Sequence, residues 1–297
     1  MRFVLLITPP RPLPTFEKDG GATMRAETMS VLEIVLRRDR AVVVGALVVV
    51  TALAWADLVW LANDMWMGGM DMTGLRMIPA GQGWMMPASA PWQPIEFGAV
   101  FVMWVIMMIG MMTPSVAPMI LIYARIGRQT SIEGQPLAAS AWFALGYLVS
   151  WTAFSLAATS AQWALERAAL LTPMMESASN TIGATVLLIA GLYQWTPFKD
   201  ACLSYCQSPL GFIIRYGFRR EASGALALGL RHGLYCIGCC WAVMALLFAA
   251  GVMNLFWIAA LSALILVEKV VPFGRLVPRL AGIAFFVGGA WLLTQVA

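Results

Sequence analysis

Apolar residues fill most of this chain in long runs, and short polar stretches between the runs hold nearly all of its charge. A helix needs ~20 apolar residues to cross a hydrocarbon core. On that measure the runs predict seven helices, at about 41–62, 95–125, 137–165, 178–196, 223–251, 254–271 and 279–296. The second and fifth exceed what the core requires, which tilt or projection beyond the membrane would accommodate. Pro114 predicts a kink in the second, because proline removes a backbone donor and clashes with the preceding turn. The expected fold class is all-α, a polytopic transmembrane helix bundle. No inverted internal repeat of the transporter kind is visible.

Composition agrees. The chain is 61% hydrophobic and 11% charged over 297 residues, with a mean hydropathy of +0.79. Soluble domains carry about 25% charged residues, so a soluble protein is excluded and no stretch is left for a second, soluble domain. Residues 1–30 are polar and hold the proline-rich PPRPLP. They read as a disordered tail or a mis-assigned start, with Met24 and Met29 as alternative starts. The opening MRFVLLITPP is too short to span and lacks a cleavage site. Residues 31–297 read as one transmembrane domain.

The charges orient the bundle. Arg37, Arg38 and Arg40 precede the first predicted helix, and Arg125 and Arg128 follow the second. Lys199, Arg215, Arg219 and Arg220 separate the fourth from the fifth, and Lys269, Arg275 and Arg279 separate the sixth from the seventh. These are alternate loops, so the positive-inside rule places them together in the cytoplasm. The N-terminus is then inside and the C-terminus outside.

Chemistry concentrates in RHGLYCIGCCW, within the fifth predicted helix. His232, Cys236, Cys239 and Cys240 recur at three- and four-residue steps, which share one helix face. His232 is the only histidine of the chain, and Cys202 and Cys206 complete its five cysteines. Imidazole and sulfur suit copper(I), zinc or iron. Buried cysteines also behave as small hydrophobes. The orientation keeps these thiols in a reducing compartment, where a structural disulfide is not expected. Cys202 and Cys206 follow Pro197 and are expected to fold back as a short interfacial helix that completes the site.

The strings YQWTPFKDACLSYCQSP, RHGLYCIGCCWAVMALLFAAGVMN and MMIGMMTPSVAPM resemble those of an uncharacterised bacterial family of predicted metal-binding integral membrane proteins. The resemblance covers nearly all of the chain from about residue 35. It implies a polytopic protein of the bacterial inner membrane that binds a metal, with no reaction attached.

Twenty methionines supply a second set of soft ligands. Met65, Met67, Met70, Met72, Met77, Met85 and Met86 gather in the first outer loop. Met103, Met107 and Met111 form a ladder at four-residue steps down the second helix, with Met108 and Met112 beside it. Thioethers bind copper(I) where a thiol would be oxidised. They also fill irregular gaps between helices. The Met-x-x-x-Met step resembles the pore methionines of eukaryotic copper importers, although the rest of the chain does not.

Carboxylates form the third set. Asp57 lies inside the first apolar run, where an acid is costly and marks function by default. Asp64, seven residues on, shares its face. Glu96 opens the second helix near the outer interface, where a carboxylate also suits the helix N-terminus. Glu268 ends the sixth helix at the expected depth of His232 and is a candidate to orient it.

Several functions are excluded. No Gly-Lys-Ser phosphate loop, haem-attachment Cys-x-x-Cys-His or nucleophile elbow occurs, and nothing points to nucleic acid. With methionines and acids outside and cysteines within, the sequence favours acquisition, transfer or delivery of copper(I) across or within the membrane. Its partners would be lipid, the ion, and a copper-dependent membrane protein or metallochaperone. The alternatives are a membrane-embedded metal oxidoreductase acting on a lipid-soluble substrate, and an assembly factor with structural zinc.

Overall fold

The computed structural model describes residues 20–65, 75–79, 85–87, 90–129, 136–172, 175, 177–271 and 274–295. The chain divides into two compact units, Met1–Val42 and Val43–Ala297. Of the first unit, only the N-terminal part of helix α1 (Gly20–Met65) is described; of the tail expected over 1–30, residues 1–19 lie outside the described residues and residues 20–30 are helical.

Each predicted apolar helix has a counterpart. They are α1, α2 (Pro94–Gln129), α3 (Pro136–Arg167), α4 (Asn180–Tyr193), α7 (Ala222–Ala245), α9 (Leu255–Val270) and α10 (Leu276–Thr294). Between α4 and α7 lie α5 (Pro197–Gln207) and α6 (Pro209–Tyr216), and the short α8 (Leu247–Ala250) continues from α7. Among the described residues, five stretches are long and apolar enough to cross a membrane: Arg40–Asp64, Pro94–Arg128, Ala139–Arg167, Ala222–Ala250 and Leu276–Thr294. Helices α4 and α9, at 14 and 16 residues, are shorter. Val48, Leu53, Phe256, Val287 and Trp291 stand exposed on the outside of the bundle, as side chains facing lipid do. One element is not expected from the sequence: strands β1 (Leu75–Met77) and β2 (Met85–Pro87) pair antiparallel within the methionine-rich loop. Met67, Met70 and Met72 of that loop lie outside the described residues, as do the side chains of Met65, Met77, Met85 and Met86.

Close helix contact builds the core. Helices α3 and α7 cross with almost no space between them. A Cβ on Gly229 would collide with the Phe143 carbonyl, and one on Gly146 with the Leu226 carbonyl. Small residues that let backbones touch are the usual device where lipid offers no hydrophobic drive for association. Ser150 Oγ fastens the crossing by donating to the Leu230 carbonyl at 2.9 Å.

Helix α2 continues through Pro114 and Pro118. Pro114 has no N–H to give the Gly110 carbonyl four residues back. Trp55 Nε1 of α1 donates to that carbonyl at 3.3 Å instead. A bond lost within one helix thus becomes a tie between two.

Candidate metal centre

Thr196 starts α5 by accepting the Lys199 amide on its hydroxyl at 3.2 Å, with Pro197 at the first helical position. This start turns the chain back from α4, as the sequence predicts, and lays α5 against α7. Gly238 permits the approach, since a Cβ there would stand 2.8 Å from Cys202 Sγ. Cys206 Sγ lies 4.0 Å from Cys239 Sγ. Cys202, Cys236, Cys239 and Cys240 are buried, Cys206 is half-buried, and all five cysteines are free thiols. Two helices separated in the chain by α6 therefore bring every cysteine of the chain together.

On α7, the Cys239 and Cys240 sulfurs both turn toward the Cys236 carbonyl, at 3.1 and 2.9 Å. Cys236 itself is held from other helices. Its sulfur receives Lys269 Nζ of α9 at 2.9 Å and lies 3.1 Å from Tyr147 Oη of α3. Lys269 Nζ also donates to Ser115 Oγ of α2 at 3.0 Å. Burial pushes the Cys202 thiol above its ordinary value, and charge on Cys239 adds to this. Hydrogen bonding to Cys236 and Cys239 pushes the Cys206 thiol well up. Among the described residues, no three His, Cys, Asp or Glu side chains stand in a ready-made ligand set. The thiols are adjacent but aimed at one another and at a carbonyl.

His232 is 3% exposed, and its Nδ1 has no hydrogen-bond partner. Three aromatic rings enclose it: Phe212 edge-on at 4.9 Å, Phe143 at 5.9 Å and Tyr147 at 6.0 Å between centroids. An unsatisfied buried polar atom carries a penalty of about 1–3 kcal/mol, so this imidazole nitrogen has an unused acceptor or ligand capacity one turn from Cys236.

Glu268 does not orient His232. Its carboxylate receives Lys199 Nζ at 2.8 Å and Gln194 Nε2 at 3.1 Å, and Lys199 donates to Gln194 Oε1 as well. A buried charge needs a partner more than an exposed one does, and Lys199 supplies it. Gln207 Nε2 adds a bond to the Glu268 carbonyl at 2.8 Å. The result is a clamp holding both ends of α5 to α9. Lys199 and Lys269, which the sequence pattern assigns to loops, are both buried. Arginines alone carry the alternating pattern in those two loops.

The methionine ladder is wholly internal, with Met103, Met107, Met108, Met111 and Met112 each at most 1% exposed. One end opens on a cavity of about 530 Å³ lined by Asp57, Trp60, Ile95 and Met103 among others. Beside the other end, Tyr147 Oη, which lies 3.1 Å from Cys236 Sγ, also donates to the Met112 backbone carbonyl at 3.5 Å. Nine residues of helix between Met103 and Met112 cover roughly 13 Å at about 1.5 Å each. Asp57 is half-buried at the cavity and Asp64 half-buried beyond it. Glu96 is buried and accepts the Gln93 amide at 3.3 Å, which serves the start of α2.

Lys269, Tyr147, Ser115, Lys199 and Gln194 are site residues that the sequence pattern does not single out. A signal for Lys269 is present, since Glu268 and Lys269 interrupt an otherwise apolar run and ionisable groups at such depth mark function. Nothing local in the sequence distinguishes Tyr147 or Ser115.

A family model described as PpoB2, copper chaperone, matches residues 101–292. No curated protein and no solved structure matches the chain. The match covers well over half of the chain, including most of α2, all of α3 through α9 and every cysteine, and the chain belongs to this copper chaperone family.

Proposed function

Taking that membership as premise, we propose that the chain carries copper(I) as cargo within the bacterial inner membrane and delivers it to a copper-dependent membrane protein or a metallochaperone. The observation that supports this most is the gathering of five free thiols on α5 and α7, in the same core that buries the methionine stripe of α2. Thioethers and thiols are the soft donors copper(I) prefers.

The cavity beside Asp57 and Met103 is the entry. The ion moves along neutral thioethers from Met103 to Met112, each bond to a new sulfur forming as an old one breaks. At the far end thiolates hold it more tightly. His232, with its free nitrogen, is a further donor on the same helix face. The thiols have to rotate off the Cys236 carbonyl before they bind, and that rearrangement offsets part of the binding energy. Weaker net retention suits hand-over better than storage.

The test is bound copper in protein purified from copper-supplemented cells. Cys236→Ser with Cys240→Ala removes two thiols but leaves a hydroxyl acceptor for the buried Lys269. The double variant is expected to stay folded, with a lowered thermal unfolding midpoint, and to lose most of its copper. Wild-type copper content in a folded double variant would overturn the reading.

A further inference from the structure

Among the described residues, the buried charges of this core do not all meet a counter-charge of the carboxylate kind. Lys199 and Glu268 form a neutral pair at 2.8 Å. Lys269 is next in sequence to Glu268, yet that carboxylate faces Lys199 and Gln194. Lys269 is 6% exposed, and among the described residues its ammonium meets only Ser115 Oγ at 3.0 Å and Cys236 Sγ at 2.9 Å. No carboxylate is paired with it there. An ammonium in a low-dielectric interior needs a counter-charge. The group positioned to supply one is sulfur, and it is the same sulfur the copper reading needs.

We infer that Lys269 is a specificity-determining residue, a fixed positive charge that makes the thiol cluster select a monovalent ion bound by two thiolates. The inference rests on the copper reading above. With Cys236 as thiolate and a second cysteine giving up its proton, copper(I) forms a bis-thiolate complex of charge −1. Lys269 brings the sum to zero, and the released proton balances the exchange. A divalent ion in the same two-thiolate site is neutral by itself, so Lys269 leaves the core with an uncompensated positive charge. Such an ion reaches balance only by recruiting a third thiolate. Lys269 therefore does not need to leave when copper binds. It is the counter-ion of the loaded site.

The experiment compares wild type, Lys269→Met, Lys269→Arg and Ser115→Ala in detergent at one pH. Each is titrated separately with copper(I) and zinc(II) against a chromophoric chelator of known affinity. A unit charge about 5 Å away at an effective dielectric of about 20 is worth on the order of a hundredfold in affinity. Lys269→Met is expected to lose copper(I) affinity by that factor and to keep or gain zinc(II) affinity. Lys269→Arg and Ser115→Ala keep the charge and are expected to keep the preference for copper(I). Where Lys269→Met does not fold, Lys269→Gln takes its place. Unchanged copper(I) affinity in the uncharged variant would overturn the inference. So would increased affinity, which would make Lys269 a competitor, or an equal loss for both metals. If wild type binds copper(I) and only this comparison fails, the cluster stands as a copper site. If wild type binds no copper(I), the functional reading fails first and the inference with it.

Discussion

Replacing Lys199 by methionine should destabilise the protein strongly, and replacing Glu268 as well should restore much of the loss. At the 2.8 Å separation of Lys199 Nζ and Glu268 Oε2, and at an effective dielectric of about 20, the attraction is roughly 6 kcal/mol. Removing Lys199 also removes the cost of burying it, which leaves a net loss of about 3–5 kcal/mol, the range found when one partner of a buried pair is deleted. Glu268→Leu alone strands the ammonium and should cost about the same. In Lys199→Met with Glu268→Leu no charge is stranded. The remaining loss is that of Gln194, whose amide then lacks both partners, at about 1–3 kcal/mol. Equilibrium unfolding of the four proteins in mixed micelles closes the double-mutant cycle. The clamp also holds α5, so Cys206 should react faster with a thiol reagent in either single variant than in wild type. Additivity of the two single losses to within ~0.5 kcal/mol would mean that neither single variant strands a charge, because a stranded charge makes the two losses non-additive.

Met103, Met107 and Met111 replaced by leucine should preserve folding, since volume-conserving swaps cost usually under ~1.5 kcal/mol each, while cellular copper delivery falls; wild-type delivery would make the ladder packing alone. In a cysteine-free background, an impermeant maleimide added to intact cells should label a cysteine at exposed position 167 but not one at exposed position 215; the reverse would invert the orientation that the arginines predict. Gly229→Ala drives a methyl into the Phe143 backbone and should cost about 1–3 kcal/mol of stability, read as a lower unfolding midpoint; an unchanged midpoint would mean that α3 and α7 separate freely.

Helix positions are legible in the sequence because hydropathy over ~20 residues is a local property. The shared helix face of His232, Cys236, Cys239 and Cys240 is legible for the same kind of reason, since register on one helix is local. The return of α5 to α7 is readable as well: Thr196 and Pro197 start a helix within four residues of the end of α4. The pairing of charges between helices is not legible. Glu268 sits at a depth that suits His232, but Lys199 on α5 reaches it first, and that choice depends on how three helices pack. Lys269 reads as a loop charge because it lies at the end of an apolar run. Only the fold shows that it turns inward onto Cys236. Trp55 is a similar case, as its bond to Gly110 exists only because Pro114 lies four residues farther along a neighbouring helix.

The central claim is that copper(I) is held by the buried thiols. X-ray absorption at the copper edge on protein loaded with copper(I) in detergent tests it most directly, with the Cys236→Ser and Cys240→Ala double variant as reference. Wild type should give a first shell dominated by sulfur, with at most one nitrogen from His232, and the double variant should lose that shell. A shell of oxygen and nitrogen in wild type, or a sulfur shell that survives in the double variant, would contradict the account and move the ion away from α7.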